Sequence, residues 1–177
     1  MSEIISNEKI DSKKIEFARK VILDLQSEMK NYIEDGFGPF IAAIYDDKGN
    51  KRAQCANTVI KETCSNNHAE INTIKEAQKK LNSYDLSKYN LSIYITAEPC
   101  MMCIGAIMWS GIKNVYYGVK SSDVEKITGF DEGFKPDWLE EFKQRGITVY
   151  GNIEAEIGKI ELQKYVESNK IIYKPER

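Results

Sequence analysis

The chain uses histidine once and cysteine four times, and three of these five residues have spacings that suit a metal ion. His68 and Glu70 occur in "HAE" at the start of a predicted helix, and Cys100 and Cys103 occur in "PCMMC" at the start of another. Residues three apart share one face of a helical turn, so both sulfurs point the same way. Helix N-termini carry partial positive charge, which favours thiolate over thiol. We therefore expect two helix starts to converge on one metal site.

The chemistry expected of this site is that of a catalytic zinc. Two thiolates and one imidazole are ligands that zinc prefers, and three protein ligands leave a fourth position open. Zinc lowers the pKa of a water in that position from about 15.7 to about 7, which makes hydroxide available at neutral pH. Glu70 could then carry that water's proton to a substrate. In zinc nucleobase deaminases, H-x-E with a later P-C-x-x-C has this glutamate as proton carrier and not as ligand.

Two other interpretations of these residues remain open at this point. Cys64 lies four residues before His68, and with Cys100 and Cys103 it could complete a closed Cys3His structural zinc site that has no open position. A Cys-x-x-Cys in a strand–helix setting is also typical of a dithiol oxidoreductase. Zinc analysis of the variant Cys64→Ala separates the closed site from the open one.

The elements that would position these residues follow from apolar periodicity. The pattern predicts a long first helix, a β-hairpin, and then helices and strands in alternation, with residues 121–136 as a loop. Strand–helix–strand alternation implies parallel pairing with right-handed crossovers. The fold class is therefore α/β, a three-layer α/β/α sandwich with a five-stranded mixed sheet. The predicted helices are 11–35, 68–81, 99–111, 137–145 and 153–168, and the predicted strands are 39–45, 51–59, 91–97, 114–119 and 147–151.

Composition narrows the class of protein. The chain has 177 residues, 42% hydrophobic content and no repeat or low-complexity linker, so we expect one domain over residues 1–177. The net charge of -2 argues against a nucleic-acid partner. The near-apolar run "CMMCIGAIMW" is too short to span a bilayer, and "MSEIISNEKI" does not resemble a secretion signal. We expect a cytoplasmic protein that does not associate with membranes.

The motifs "HAE" and "PCMMC", with "GAI" after the second cysteine, resemble the cytidine deaminase superfamily from about residue 38 to 134. That resemblance implies a helix-covered sheet, one zinc per subunit and hydrolytic loss of ammonia from a base. Within the superfamily the chain is most similar to bacterial guanine deaminases. This closer resemblance rests on four features: "GPF", Asn57 eleven residues before His68, "WSG" and "GFDEGF".

The resemblance also implies roles for individual residues. Phe40 would pack on the purine, Asn57 would read the base edge, and Trp109 would form part of the pocket wall, with Ala69 of "HAE" also contacting substrate. Asp131 would help to protonate the leaving amine. The chain departs from the guanine deaminases at Ile41, where they usually have glycine. The family's C-terminal segment can cross to a partner subunit and close its site, and Tyr173 lies in the corresponding tail.

The expected activity is therefore hydrolytic deamination of a purine base or nucleoside, with guanine giving xanthine and ammonia in a homodimeric enzyme. A tRNA adenosine deaminase and a cytosine deaminase are the alternatives with the same zinc chemistry. A structural-zinc binding module is the alternative from another class, and it leaves "HAE" unexplained. The sequence does not distinguish free guanine from a nucleoside.

Overall fold

A computed structural model describes residues 3–5, as backbone only, and residues 11–174. Six strands and six α-helices of these ranges alternate along most of the chain, with one short 3-10 helix at Ser87–Tyr89. The strands are β1 (Glu3–Ile5), β2 (Ile41–Tyr45), β3 (Lys51–Ala56), β4 (Ser92–Ala97), β5 (Asn114–Val119) and β6 (Thr148–Gly151). The helices are α1 (Ser12–Glu34), α2 (Ala69–Leu81), α3 (Met101–Ser110), α4 (Ser121–Thr128), α5 (Trp138–Gln144) and α6 (Ala155–Glu167).

The strands form one mixed sheet in the order β1-β6-β5-β4-β2-β3. Strand β2 pairs antiparallel with β3 and β4, whereas β4, β5 and β6 run parallel to one another. All five predicted strands are present. The short strand β1, which apolar periodicity did not reveal, adds antiparallel to β6 at one edge. The helical crossovers between the parallel strands place α3 and α5 on one side of the sheet.

Each face of the sheet buries its own apolar cluster, and this confirms the three-layer α/β/α architecture. Side chains alternate along the strands, so Tyr94 and Tyr116 point to one face while Ile93 and Val115 point to the other. The first face packs against residues of α1, α4 and α6, and the second against residues of α2, α3 and α5. None of the helices within the described residues has the length and apolarity needed to cross a membrane.

The structure differs from the sequence prediction after β5. Residues 121–136 were expected to be a loop, but Ser121–Thr128 form helix α4, which ends at Gly129 with φ 76°. Eight residues are little more than two turns, too few for apolar periodicity to stand out. The helix buries Val124 against the α1 face of the sheet, and this contact gives it stability. The true loop is therefore shorter, from Gly129 to Pro136.

Candidate active site

Two helices present metal-binding side chains from equivalent positions. His68 is the N-cap residue of α2 and Cys100 is the N-cap residue of α3, and both have extended backbone angles. Neither side chain caps its own helix, so both are free to turn towards the space between the helix ends. Pro99 precedes the cap of α3, where its missing N–H costs no helical hydrogen bond. Cys103 follows in the first turn of α3 and is buried.

The three side chains converge as the sequence predicts. The potential ligand atoms of His68, Cys100 and Cys103 all lie within 4.8 Å of one another. The sulfur of Cys100 is 3.6 Å from Nδ1 of His68. A sulfur and a nitrogen bound to one tetrahedral zinc, at about 2.3 and 2.0 Å, are separated by about 3.5 Å. The donor set and its spacing therefore fit a zinc ion.

Cys64 does not join this group. Among the described residues, the metal-binding cluster contains only the three side chains named above. The thiol of Cys64 instead contacts Oδ1 of Asn66 at 2.9 Å. Glu70 is not a member of the cluster either. The structure thus favours three protein ligands and an open fourth position over the closed Cys3His site.

A hydrogen bond between Cys100 and Cys103 shifts the pKa values of the two thiol groups in opposite directions. A hydrogen bond from the Cys103 thiol lowers the pKa of Cys100 well below that of an ordinary thiol, and His68 adds to this effect. The same hydrogen bond, together with burial, raises the pKa of Cys103. Metal binding must therefore displace at least the Cys103 proton, since the thiolate is the ligand form.

Glu70 lies in the first turn of α2 and is 6% exposed. Burial raises the pKa of its carboxyl group, and the negative charge of Cys100 raises it further. A carboxyl group with a raised pKa holds a proton more readily near neutral pH than an ordinary glutamate does. Its place beside the cluster and outside the ligand set suits a group that accepts and returns a proton.

The cluster opens into a cavity of about 710 Å³. This volume lies in the range of about 300–1,000 Å³ that is usual for small-molecule sites. Its described lining includes four carboxylate side chains and one lysine: Glu70, Glu98, Asp131, Glu132 and Lys174. The cavity is therefore of small-molecule size, and its described lining is not the basic surface that a phosphate backbone favours.

Asn57 lies in this cavity at the end of β3 and is 1% exposed. Its Oδ1 accepts a hydrogen bond from the backbone N–H of Val59 at 3.1 Å. Its Nδ2 donates to the hydroxyl of Tyr173 at 2.5 Å. A Cβ at Gly38 would stand 2.9 Å from Oδ1 of Asn57, so glycine leaves the space for the amide. The amide is thus oriented with its NH2 group towards the cavity.

Aromatic side chains form one wall of the cavity. Phe40 and Phe130 are in edge contact, with ring centroids 5.5 Å apart. Tyr173, from the C-terminal tail of the same chain, lies against Phe130 at 4.9 Å and near His68 at 6.4 Å. Ile41, next to Phe40, is fully buried in the cluster on the α1 face and does not line the cavity. Its bulk therefore does not narrow the site.

The loop after α4 brings two neighbouring carboxylates to the cavity, in different environments. Asp131 is exposed, and its Oδ1 accepts the backbone N–H of Gly133 at 2.9 Å. Glu132 is more buried, and burial raises its pKa to about 7, with Cys100 and Glu70 adding to the rise. The family resemblance indicated Asp131 and not its neighbour Glu132, and the structure brings both side chains to the cavity.

Two predicted substrate contacts are not brought to the cavity. The side chain of Trp109 is 84% exposed and is not among the lining residues. Trp109 comes two residues after the buried Ile107 of α3. Because a helix advances about 100° per residue, the side chain of Trp109 points away from the buried face of the helix. Ala69 is fully buried in the core cluster beside α3, and its side chain does not line the cavity.

The fold and this site define a zinc-binding α/β/α protein with a buried carboxylate beside the metal ligands. The chain belongs to the cytidine and deoxycytidylate deaminase family, because the profile of that family's zinc-binding region matches residues 13–119. The resemblance seen in the motifs is therefore confirmed.

Individual relatives include a guanine deaminase of Bacillus subtilis, 38% identical over 55% of this chain and 60% of the relative. A tRNA-specific adenosine deaminase of Buchnera aphidicola subsp. Schizaphis graminum is 41% identical over 40% of this chain and 45% of the relative. The chain thus matches only about half the length of these curated relatives. The solved structure of guanine deaminase from Nitrosomonas europaea is similar over 81% of both chains, with a TM-score of 0.78 and 36% identity.

Proposed function

We propose that this protein deaminates a purine base or nucleoside by hydrolysis, with guanine and water giving xanthine and ammonia. The observation that carries this proposal is the position of Glu70, buried beside the three-residue metal cluster at the base of the cavity. The likeness to two guanine deaminases supports guanine as the base. We also propose a single deaminase domain over residues 1–177 in a cytoplasmic protein.

His68, Cys100 and Cys103 would hold the zinc ion. When bound, zinc makes a water molecule acidic enough to be a nucleophile at neutral pH. Glu70 would accept a proton from the attacking water and deliver it to the ring nitrogen next to the carbon that bears the amino group. The raised pKa of Glu70 suits both halves of this transfer. The amino group leaves as ammonia after it receives a proton of its own.

We propose that the second acid is one of the adjacent carboxylates Asp131 and Glu132. Both line the cavity, and the pKa of about 7 for Glu132 allows it to donate a proton near neutral pH. Asp131 is the residue that the family resemblance indicates, whereas burial favours Glu132. Parallel variants Asp131→Asn and Glu132→Gln distinguish them, since only loss of the true acid slows ammonia release.

Substrate contacts follow from the wall of the cavity. Asn57 presents a donor, so it would pair with an acceptor on the base, and Phe40 would pack on the ring face. The hydroxyl of Tyr173 accepts a hydrogen bond from the same amide. A bound base would therefore have to displace that hydroxyl or share the amide donor with it. Contacts of the substrate with Ala69 and Trp109 remain predictions. Neither side chain lines the cavity within one protomer, so the structure gives them no support.

We propose a homodimer that forms through the outer face of α3. Met102 and Trp109 are exposed on this helix, and Gly105 between them lets a neighbouring backbone approach closely. Contiguous exposed apolar residues often mark a protein interface. The variant Trp109→Ser should shift the molar mass measured by light scattering towards that of the monomer. An unchanged mass would show that α3 does not form the interface.

The proposed activity is tested with purified, zinc-analysed protein and a panel of guanine, guanosine, adenine, cytosine and tRNA. Ammonia release and the ultraviolet conversion of guanine to xanthine should be seen with the wild type and lost in Glu70→Gln. Deamination of adenosine in tRNA, without turnover of guanine, would replace this proposal by the tRNA alternative. The described lining of the cavity has one lysine and no arginine to bind a phosphate backbone, which argues against that alternative, although a relative of that activity is similar in sequence.

A further inference from the structure

An ion pair at the edge of the cavity is more buried than any other among the described residues. Nζ of Lys135 lies 3.3 Å from Oε1 of Glu98, and each side chain is only 15% exposed. In the remaining ion pairs of the described chain, at least one partner is 30% exposed or more. Burying a charge pair is costly, and loss of one partner leaves the other charge uncompensated. Removal of either partner should therefore disturb the segments that the pair joins.

This ion pair joins three segments of the chain. Glu98 follows β4 and stands two residues before Cys100, and its backbone N–H donates to the carbonyl of Val119 at 2.7 Å. The second oxygen of Glu98, Oε2, accepts the backbone N–H of Ser121 at 3.0 Å, at the start of α4. Lys135 donates to the hydroxyl of Ser121 as well. The lysine thus ties the end of its loop to the segment that carries a metal ligand.

The loop from Gly129 to Pro136 has no regular structure, and contacts on both sides of Glu132 hold it in place. Phe130 is the first anchor, because its ring packs against Phe40 at 5.5 Å and Tyr165 at 6.2 Å. Lys135 is the second anchor. Glu132 lies between them and lines the cavity, and its backbone N–H donates to Oε1 of Glu125 in α4 at 3.1 Å. Gly133 follows with a φ of 68°, a left-handed conformation that glycine adopts without steric cost.

We propose that Lys135 is a positioning residue, which acts through Glu98 and Ser121 to hold the carboxylate of Glu132 over the metal cluster. This inference rests on the proposed deaminase function and on the role of the two loop carboxylates in it. Without Lys135, Glu132 loses the cation that attracts its carboxylate and the link from its segment to β4 and α4. Only Phe130 and the backbone bond to Glu125 then restrain it, so the carboxylate can leave the position from which it reaches the leaving amine. The charge of Lys135 also acts on Glu132 directly and lowers its pKa, against the effect of burial.

The test compares Lys135→Met and Lys135→Arg with a matched control, Lys159→Met. Lys159 also ties α4 to another element, through Asp123 at 3.0 Å, but it lies away from the cavity. In zinc-loaded protein we expect Lys135→Met to lower kcat for guanine by about 10–100-fold, as small displacements in an active site do. KM and zinc content should change little, and amide hydrogen exchange in 129–136 should accelerate. Lys135→Arg should restore most of kcat and of the protection.

Unchanged kcat and unchanged loop exchange in Lys135→Met would overturn the inference, as would an equal loss of kcat in Lys159→Met. If Lys135→Met does not fold, Glu98→Gln removes the ionic partner and keeps an acceptor for Ser121. It should show the same faster exchange, and normal exchange would contradict the proposal. A wild type that deaminates no base refutes the proposed function, while the exchange comparison still decides whether Lys135 anchors the loop.

Discussion

The sulfur of Cys100 lies 3.6 Å from Nδ1 of His68, although the two residues come from the capping positions of different helices. Their contact brings the N-termini of α2 and α3 together at one edge of the cavity. Both helix ends contribute partial positive charge there, which stabilises a thiolate. A metal bound at this point would cross-link two helices that pack on the same face of the sheet.

Because the metal bridges two helices, its removal should destabilise the whole domain. A site occupied at about 1,000 times its dissociation constant adds about 4 kcal/mol to the free energy of unfolding. Chelator-treated protein should therefore melt at a lower temperature in calorimetry, and added zinc should restore it. His68→Ala should bind no zinc, whereas Cys64→Ala should bind one ion per chain. Loss of zinc from Cys64→Ala would instead support the closed Cys3His site.

Glu70→Gln should separate metal binding from catalysis. The amide keeps the size of the side chain but cannot carry a proton, so we expect kcat to fall by about 10²–10⁴-fold with zinc content unchanged. Glu76→Gln, on the same helix but outside the cavity, is the control and should retain wild-type turnover. Ammonia release measured on metal-analysed samples checks both variants. Near-normal turnover of Glu70→Gln would remove this residue from the mechanism.

Asn57→Asp should test the oriented amide. Aspartate retains the acceptor for the N–H of Val59 but has no donor for the base. Loss of a buried hydrogen bond of about 1.5–3 kcal/mol corresponds to a decrease in kcat/KM of about 10–100-fold. Tyr173→Phe removes the competing hydroxyl, so the KM for guanine should decrease. If Asn57→Asp kept full kcat/KM, the base edge would have to be read elsewhere.

The hairpin between β2 and β3 should give the protein a measurable acid sensitivity. Asp46 accepts hydrogen bonds from Asn50, Arg52 and the backbone of Lys48. Burial alone would raise the pKa of Asp46, but these hydrogen bonds outweigh it and hold the pKa well below its ordinary value. A lowered pKa contributes stability that is present above about pH 4, the unfolded value, and is lost as pH falls further.

Asp46→Asn should therefore lower the free energy of unfolding at pH 7 by roughly 1–2 kcal/mol. The difference from wild type should shrink between about pH 4 and pH 2, because the Asp46 carboxylate of the unfolded wild type takes up a proton there while that of the folded protein stays ionised. Urea titrations at pH 7, 4 and 2.5 measure this, with Asp47→Asn as the neighbouring control. A difference that stays constant over this range would show that the charge of Asp46 contributes nothing.

The parts of the fold that sequence predicted are those with strong periodicity. Helices α1 and α2 and the buried strands β4 and β5 carry enough apolar positions to be recognised, and the metal ligands stand at fixed short spacings. Helix α4 was missed because it is short and gains its stability from contact with the sheet. No local pattern could show that Lys135 pairs with Glu98, since 37 residues separate them and only the packed fold brings them together.

The position of the metal ligands along the chain has a consequence for biosynthesis. All three lie between residues 68 and 103, whereas the parallel strands β5 and β6, the Glu132 loop and Tyr173 are translated afterwards. The chain leaves the ribosome N-terminus first, at about 5–20 residues per second. A nascent polypeptide that has emerged through α3 therefore already holds the three zinc donors, so metal binding can precede completion of the cavity.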